Sequence, residues 1–464
     1  MAKVLLILPH LPQRMGAPYL GQQYVAASLL ADGYDVKCVD LAASLSTQSD
    51  EDAVREAERF GPDLVGMTLF TLNARRGYLL AERLRGVARL VVAGGPHPTV
   101  LPDEPLAHGF DAAVVGEGER AVVALARLLD AGGELASGLA RIPGVRFAGG
   151  AGPPGGVLDD LDGLPYPLES YPAFDARAYS EVGTVVPGGM MTSRGCPARC
   201  TFCANYVTGR AYRFRSTADI VGEMLALNER YGVTHFPFWD DAFTAQRPRL
   251  NALCDAILAE PALNGATWSC ITPGNMVRPH DLDRMRAAGC VAINFGIESG
   301  DADILRVIQK GQRPEHVRAA VRAAKESGMT TIVNFMFGFP EEGVPELERT
   351  IGLMEELSAH TDFFNHRGVL VPFPGTAVYD AHEARYGFAR WWLDPRYLVD
   401  EPDPRALSAD ALLTAYERDP TLDLDFFRYT DDVRDAIARG VAFKARHNRR
   451  AIERLQQGTS TSRS

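Results

Sequence analysis

Long apolar runs are missing from this 464-residue chain. No stretch approaches the roughly 18 apolar residues that a membrane span needs. The opening Lys3-Val4-Leu5-Leu6-Ile7-Leu8 is too short for a signal peptide and lacks a cleavage site. An excess of positive charge is missing as well. Lys and Arg number 48 against 59 Asp and Glu, a formal net charge of −11, which argues against nucleic acid as an obligate partner. Cysteine is sparse: there are seven, three of them clustered, so no disulfide framework can be drawn. Cys38, Cys254, Cys270 and Cys290 fall in apolar surroundings and read as buried small hydrophobes. These absences lead to the expectation of a cytoplasmic protein with no membrane and no nucleic-acid partner. What is present is an apolar fraction of 46% with 23% charged residues, the balance of a globular protein. The length suggests two or three domains.

The chain is organised around Ser193-Arg194-Gly195-Cys196-Pro197-Ala198-Arg199-Cys200-Thr201-Phe202-Cys203, in which three cysteines stand in C-x3-C-x2-C spacing. Thiolates are soft ligands that hold iron–sulfur clusters, which normally take four. Three on one tight loop can hold three corners of a cubane and leave one iron open to a molecule that chelates through an amine and a carboxylate. The competing reading is zinc, but zinc favours four ligands in paired knuckles, and no second C-x2-C pair exists.

With Phe202 just before its last cysteine, the motif resembles that of the radical SAM enzymes. Ala204-Asn205 and then Tyr212-Arg213-Phe214-Arg215-Ser216 resemble the branch that carries an N-terminal cobalamin-binding domain. The resemblance implies that Cys196, Cys200 and Cys203 ligate a [4Fe-4S] cluster whose fourth iron binds S-adenosylmethionine. One electron from the cluster then cleaves the sulfonium to a 5′-deoxyadenosyl radical. It also implies an external one-electron reductant of the flavodoxin or ferredoxin type and a small-molecule substrate.

Residues 1–150 alternate short apolar runs with helical stretches. Val4–Leu8, Asp35–Val39, Leu64–Thr68, Leu90–Ala93 and Ala112–Val115 read as buried parallel strands, and Tyr19–Ala31 reads as a helix stopped by Gly33. This pattern predicts an α/β, flavodoxin-like (Rossmann-type) doubly wound sheet, with ligands bound outside the strand carboxyl ends. Residues 151–185, rich in Gly, Pro and Asp, read as a linker. From 186 to 380 the alternation resumes, with strands expected at Met190–Ser193, His235–Trp239, Thr267–Ile271, Val291–Gly296, Ile332–Gly338 and Gly368–Val371. Helices are expected at Thr217–Tyr231 and Pro314–Ser327. Six units fit a partial (β/α)6 barrel of the TIM type, the radical SAM core, whose chemistry sits at strand carboxyl ends. Residues 381–464 read as a small helical cap with helices at Ser408–Tyr416 and Thr430–Leu455, an acidic stretch at Asp400–Asp403, and a disordered tail from Gly458.

Strand ends supply the candidate site residues. In the first domain these are Thr68, Thr71, Gly94, Gly95, His97, Gly116 and Glu117, on loops where backbone can approach a large flat ligand. The loops Gly94–Pro98 and Gly116–Glu119 resemble those of the branch's cobalamin domain. The D-x-H-x-x-G motif that supplies an axial histidine is absent, so cobalamin is expected without a histidine ligand; His97 lines the pocket or caps its loop. In the barrel the candidates are Phe202 in the cluster loop, then Asp240, Ser269, Glu298 and Asn334. Family analogy places Asp240 near the methionine amino group, with helix capping as the alternative. Phe295-Gly296-Ile297-Glu298-Ser299-Gly300 resembles a recurrent family signature. A carboxylate there is costly unless paired, which directs Glu298 toward cofactor or substrate. Gly338-Phe339-Pro340 resembles the family's adenine-side segment.

The leading functional expectation is cobalamin-dependent methylation of an unactivated carbon in a small-molecule natural product. Radical dehydration of an aminoglycoside-type sugar, or radical cyclisation, keeps the cluster and drops methyl transfer. A tRNA methylthiotransferase needs a second three-cysteine set, and only Cys38 lies N-terminally. A non-catalytic cobalamin-binding regulator is opposed by the intact triad.

Overall fold

The computed structural model describes residues 1–180, 188–397 and 407–461; the acidic stretch 400–403 lies outside them. Two compact units are present. The first comprises Met1–Met190, Ala204–Ser216 and Arg390–Glu401, and the second Met191–Cys203, Thr217–Ala389 and Pro402–Ser464.

In the first unit, β1 (Lys3–Leu8), β2 (Asp35–Asp40), β3 (Leu64–Thr68), β4 (Leu90–Gly94) and β5 (Ala112–Val114) are parallel. The sheet order is β2-β1-β3-β4-β5, extended by the antiparallel β6 (Val145–Phe147) and β7 (Gly150–Ala151). Val4 to Leu8 are all buried, because helices cover both faces of a parallel sheet and the strand must be apolar throughout. The segment read as linker joins this unit. Its 3-10 turn Pro167–Ala173 packs on the helix Leu20–Ala31, and the Tyr179 hydroxyl donates to the buried Asp40 at 2.5 Å. Burial lifts the Asp40 carboxyl to about 6 against that bond.

Two short strands lie outside both main sheets: β8 (Ser193–Arg194), in the second unit, and β9 (Arg213–Phe214), in the first. The second unit's sheet is parallel and sequential: β10 (His235–Phe238), β11 (Thr267–Pro273), β12 (Cys290–Glu298), β13 (Thr330–Phe335) and β14 (Phe363–Phe364). Alternation along each strand sorts the side chains. Phe236, Phe238, Trp268, Cys270, Ile293, Phe295, Val333 and Phe335 are buried against the helical layer. His235, Ser269, Ile271, Asn294, Gly296, Ile332 and Asn334 take the opposite face. Trp268 anchors the layer, with its Nε1 donating to Ala288 O at 2.7 Å and its ring 5.5 Å from Phe238 and 5.4 Å from Phe243. Truncating such a side chain costs about 3–5 kcal/mol.

The first and last strands expected of this barrel differ. Met190–Ser193 shrinks to β8, and the last strand is Phe363–Phe364 rather than Gly368–Val371. Only one isolated bridge, Phe337–Val369, forms in that later stretch. Phe337 N donates to Gly368 O at 2.8 Å and Leu370 N to Phe337 O at 2.9 Å, while the N–H groups of Gly368 and Val369 donate to the Asp419 carboxylate, at 2.9 Å each. The edge strand β14 is covered by the final helix, Asp431–Thr461. Asn448 accepts from Phe364 N and donates to Phe364 O, both at 2.8 Å, taking the place of a neighbouring strand. That helix continues to Thr461, past the point where a tail was expected.

Candidate active site

The cluster loop leaves β8 and is braced from below by Asp240, just beyond β10. Asp240 is 1% exposed. It accepts from the backbone N–H of Thr192 at 2.6 Å and of Ser193 at 3.2 Å, from both of their hydroxyls, and from Arg249 at 3.5 Å. These donors use its lone pairs, so the carboxylate holds the loop's root instead of standing open for a ligand amine. Gly195, at φ +86°, turns the chain into the loop. Farther along, Thr201 N donates to Ile308 O at 3.0 Å and Val378 N to Thr201 O at 3.1 Å. The loop is therefore pinned on both sides between its first and last cysteines.

Cys196 and Cys200 are partly buried, Cys203 is exposed, and none forms a disulfide. Burial raises the Cys196 thiol and lifts Cys200 to about 11. Among the described residues, no three His, Cys, Asp or Glu side chains converge on a single point as one ion requires. A cubane presents three separate irons to three thiolates, and three cysteines on one pinned loop are a donor set that suits it.

Beside the loop lies a buried ion pair. Lys310 Nζ meets Glu298 Oε1 at 2.7 Å, with the side chains 9% and 10% exposed. Lys310 also stands 5.7 Å from the Phe202 ring centroid, and Phe202 lies 5.6 Å from Phe339. Burial pulls the Lys310 ammonium down, but Glu298 and then Cys200 more than offset this and leave it above its ordinary value. Glu298 sits at φ +74° after a break in register between Gly296 and Glu298. Gln312 Nε2 supports this bulge by donating to Ile297 O at 2.6 Å and Gly296 O at 3.3 Å. Such left-handed backbone in a non-glycine residue costs roughly 1–3 kcal/mol and clusters at functional sites.

The structure thus gathers Cys200, Cys203, Phe202 and Glu298. Asn334 shares the same sheet face, paired in register with Gly296. Ser269 does not join them: it lies early in β11 and sits 3.4 Å from His235 Nε2 at the start of β10, away from the strand ends that carry the cysteines. Sequence reasoning missed Lys310, which sits between two non-periodic residues, Gln309 and Gly311. It also missed Asn294, whose Oδ1 is buried with no hydrogen-bond partner among the described residues. The i, i+2, i+4 spacing of Asn294, Gly296 and Glu298 was the available signal. An orphaned acceptor beside a charged pair suits a polar cofactor such as S-adenosylmethionine.

In the first unit, His97 is 1% exposed. Its Nε2 lies 2.9 Å from the Tyr78 hydroxyl and 3.1 Å from Glu104, and its Nδ1 3.2 Å from Thr71 Oγ1. Trp392 Nε1 also donates to Glu104, at 2.7 Å. Burial alone would raise Glu104, but donors from His97, Trp392 and Tyr78 hold it below its ordinary value. Both His97 nitrogens are engaged, which leaves none for a metal. Glu117 is likewise committed: it binds Arg213 through two bonds of 2.9 Å and accepts from Leu158 N at 2.5 Å. Sequence reasoning missed Arg213 as that partner. What faces open space is backbone. A Cβ built on Gly94 or Gly116 meets nothing within 4 Å, while Gly95, at φ +100°, closes the turn against Leu69. Thr68 pairs in register with Gly94. Bare strand ends of this kind suit a broad ligand such as a corrin.

Residues 190–354 match the family model of the Radical SAM superfamily, and residues 16–126 that of the B12 binding domain. An uncharacterized methyltransferase of Pyrococcus horikoshii is 31% identical over 394 residues, covering 82% of each chain. The chain belongs to the cobalamin-binding radical SAM enzymes. Cytidylyl-2-hydroxyethylphosphonate methyltransferase of Streptomyces wedmorensis is 29% identical over 75% of this chain and 73% of its own. The fold of this radical SAM enzyme is shared with the methyltransferase TsrM of Kitasatospora setae, solved with cobalamin and a [4Fe-4S] cluster. The TM-score is 0.66 at 21% identity, covering 84% of this chain and 76% of that one. The cofactors of the family are the cluster, S-adenosylmethionine and cobalamin. No helix among the described residues is long and apolar enough to cross a membrane.

Proposed function

We propose that this radical SAM enzyme is a cobalamin-dependent C-methyltransferase acting on an unactivated carbon of a small-molecule natural product. The observation that carries the reading is the cysteine loop pinned beside the Glu298–Lys310 pair, in a chain that also has the B12-binding unit. Cys196, Cys200 and Cys203 are the residues that would hold the cluster. Glu298, Asn294 and Asn334 would face S-adenosylmethionine and substrate, with Phe202 packed beside them. Thr68, Gly94, Gly95 and Gly116 would line the corrin; Thr71, His97 and Glu117 would shape that wall from behind. When bound, these groups supply the electron, the radical source and the methyl carrier. The protein's own residues fix the reacting carbon near contact distance, roughly 3–3.5 Å, and exclude water from it. An external one-electron reductant of the flavodoxin or ferredoxin class completes the reading.

Stoichiometry tests it. Methylation consumes two S-adenosylmethionine molecules per turnover, yielding 5′-deoxyadenosine and S-adenosylhomocysteine in equal amounts with a product in which a methyl group replaces one hydrogen. Deoxyadenosine alone, with a product lighter by one water, would refute methylation.

A further inference from the structure

The Glu298–Lys310 pair lies at the cluster loop, but the methylation reading assigns Lys310 nothing. Three observations locate it. Thr201 N donates to Ile308 O at 3.0 Å, which fixes the loop two residues from Lys310. The ammonium stands 5.7 Å from the ring of Phe202, the residue between Thr201 and Cys203. A Cβ added at Gly296 would meet both Glu298 Oε1 and Lys310 Nζ at 3.1 Å, so the pair packs closely over Gly296. Both side chains are nine-tenths buried, and charges act far more strongly there than in water.

We infer that Lys310 and Glu298 form an opposed pair of charges that sets the reduction potential of the cluster held by Cys196, Cys200 and Cys203. One-electron reduction adds one negative charge to a site already ligated by three thiolates. A fixed cation beside it stabilises the reduced form and raises the potential, and a fixed anion lowers it. Lys310 is the member of the pair that reaches the cysteine loop, through the ring of Phe202. The inference rests on the three cysteines being the cluster ligands, as proposed above.

The experiment is a potentiometric titration of the full-length, anaerobically reconstituted protein, followed by the EPR signal of the reduced cluster without S-adenosylmethionine. Lys310→Met is expected to lower the midpoint. Glu298→Gln, which keeps the shape of the side chain, is expected to raise it. Lys310→Arg is expected to stay near the wild-type value. Equal midpoints in all four proteins, or shifts of Lys310→Met and Glu298→Gln in the same direction, overturn the inference. Should Lys310→Met fail to load iron, the comparison of Glu298→Gln with Lys310→Arg still decides it, and an unmoved Glu298→Gln midpoint counts against it. Loss of the cluster in Cys196→Ala/Cys200→Ala/Cys203→Ala tests the ligand assignment separately.

Discussion

At the strand ends of the first unit, the polar side chains Thr71, His97 and Glu117 are spent on protein partners, and bare glycine backbone meets open space. At the strand ends of the second unit the opposite holds. Three thiols on one loop and a buried ion pair stand there, and farther back along β12 an amide oxygen has no hydrogen-bond partner among the described residues. The difference follows from what each end has to do. A large ligand held mainly by shape needs room and close approach, which side chains obstruct. Redox chemistry needs charges at fixed distances, which backbone alone does not supply.

Removing the thiols gives the largest separation of the two ends. Replacing Cys196, Cys200 and Cys203 together by Ala is expected to abolish the iron–sulfur absorbance and all cleavage of S-adenosylmethionine, while the protein still takes up cobalamin. A cluster retained in the triple variant would sink the assignment of the second end. Next comes the brace beneath the loop. Asp240→Ala leaves Arg249, 3% exposed, without its carboxylate, and breaking a buried pair costs about 3–5 kcal/mol. Urea unfolding should show that loss together with poor cluster loading. A loaded, fully stable variant would mean that Asp240 does not hold the loop.

The first unit's sheet was legible almost strand by strand, because buried parallel strands announce themselves as continuous apolar runs. The cysteine loop was legible for a different reason: its spacing carries the chemistry. Side-chain roles were far less so. Asp240, Glu117 and His97 were chosen for standing at strand ends, and the structure shows each of them bound by residues distant in sequence, at separations such as the 96 positions between Glu117 and Arg213. No local pattern encodes such a partner. Ser269 was misplaced because a strand's face can be read from alternation but its useful end depends on where the strand stops. The last strand was misassigned because its apolar run makes a single bridge at Val369, whose N–H donates to Asp419, 50 residues away.

Filling the open backbone of the first end is expected to act on cobalamin alone. Gly94→Leu projects a side chain into the space beyond β4 and should weaken cobalamin binding at least about tenfold, the equivalent of 1.4 kcal/mol, with cluster absorbance unchanged. Unaltered binding would move the corrin away from Gly94. His97→Ala sharpens the same point. It removes buried hydrogen bonds to Tyr78, Thr71 and Glu104 and should cost about 1–3 kcal/mol, yet the visible spectrum of bound cobalamin is expected to stay the same, because both His97 nitrogens are engaged within the protein.

The remaining expected effect is a pH dependence to which both units contribute. Glu342 accepts from Gly338 N at 2.7 Å and Phe339 N at 3.0 Å, while its other oxygen has no hydrogen-bond partner among the described residues. Burial pushes this carboxyl up to about 8 against those two bonds. Asp40 in the first unit, buried with one hydroxyl donor and backbone N–H groups, is raised less, to about 6. For an acid whose folded pKa exceeds its unfolded value, the folded state binds more protons between the two, so its contribution is complete below the unfolded pKa and declines as pH rises through the folded one. Glu342 therefore weakens the second unit progressively between about pH 4.5 and 8, and Asp40 the first between about 4 and 6. Glu342→Gln keeps an oxygen for Gly338 and Phe339 and removes the charge. Thermal unfolding of that variant should lose the decline between pH 6 and 8, where Asp40 has already titrated, and keep the one below. A variant as pH-sensitive as the wild type above pH 6 would show that the Glu342 carboxyl ionises normally, and that the second unit buries no such acid at its strand ends.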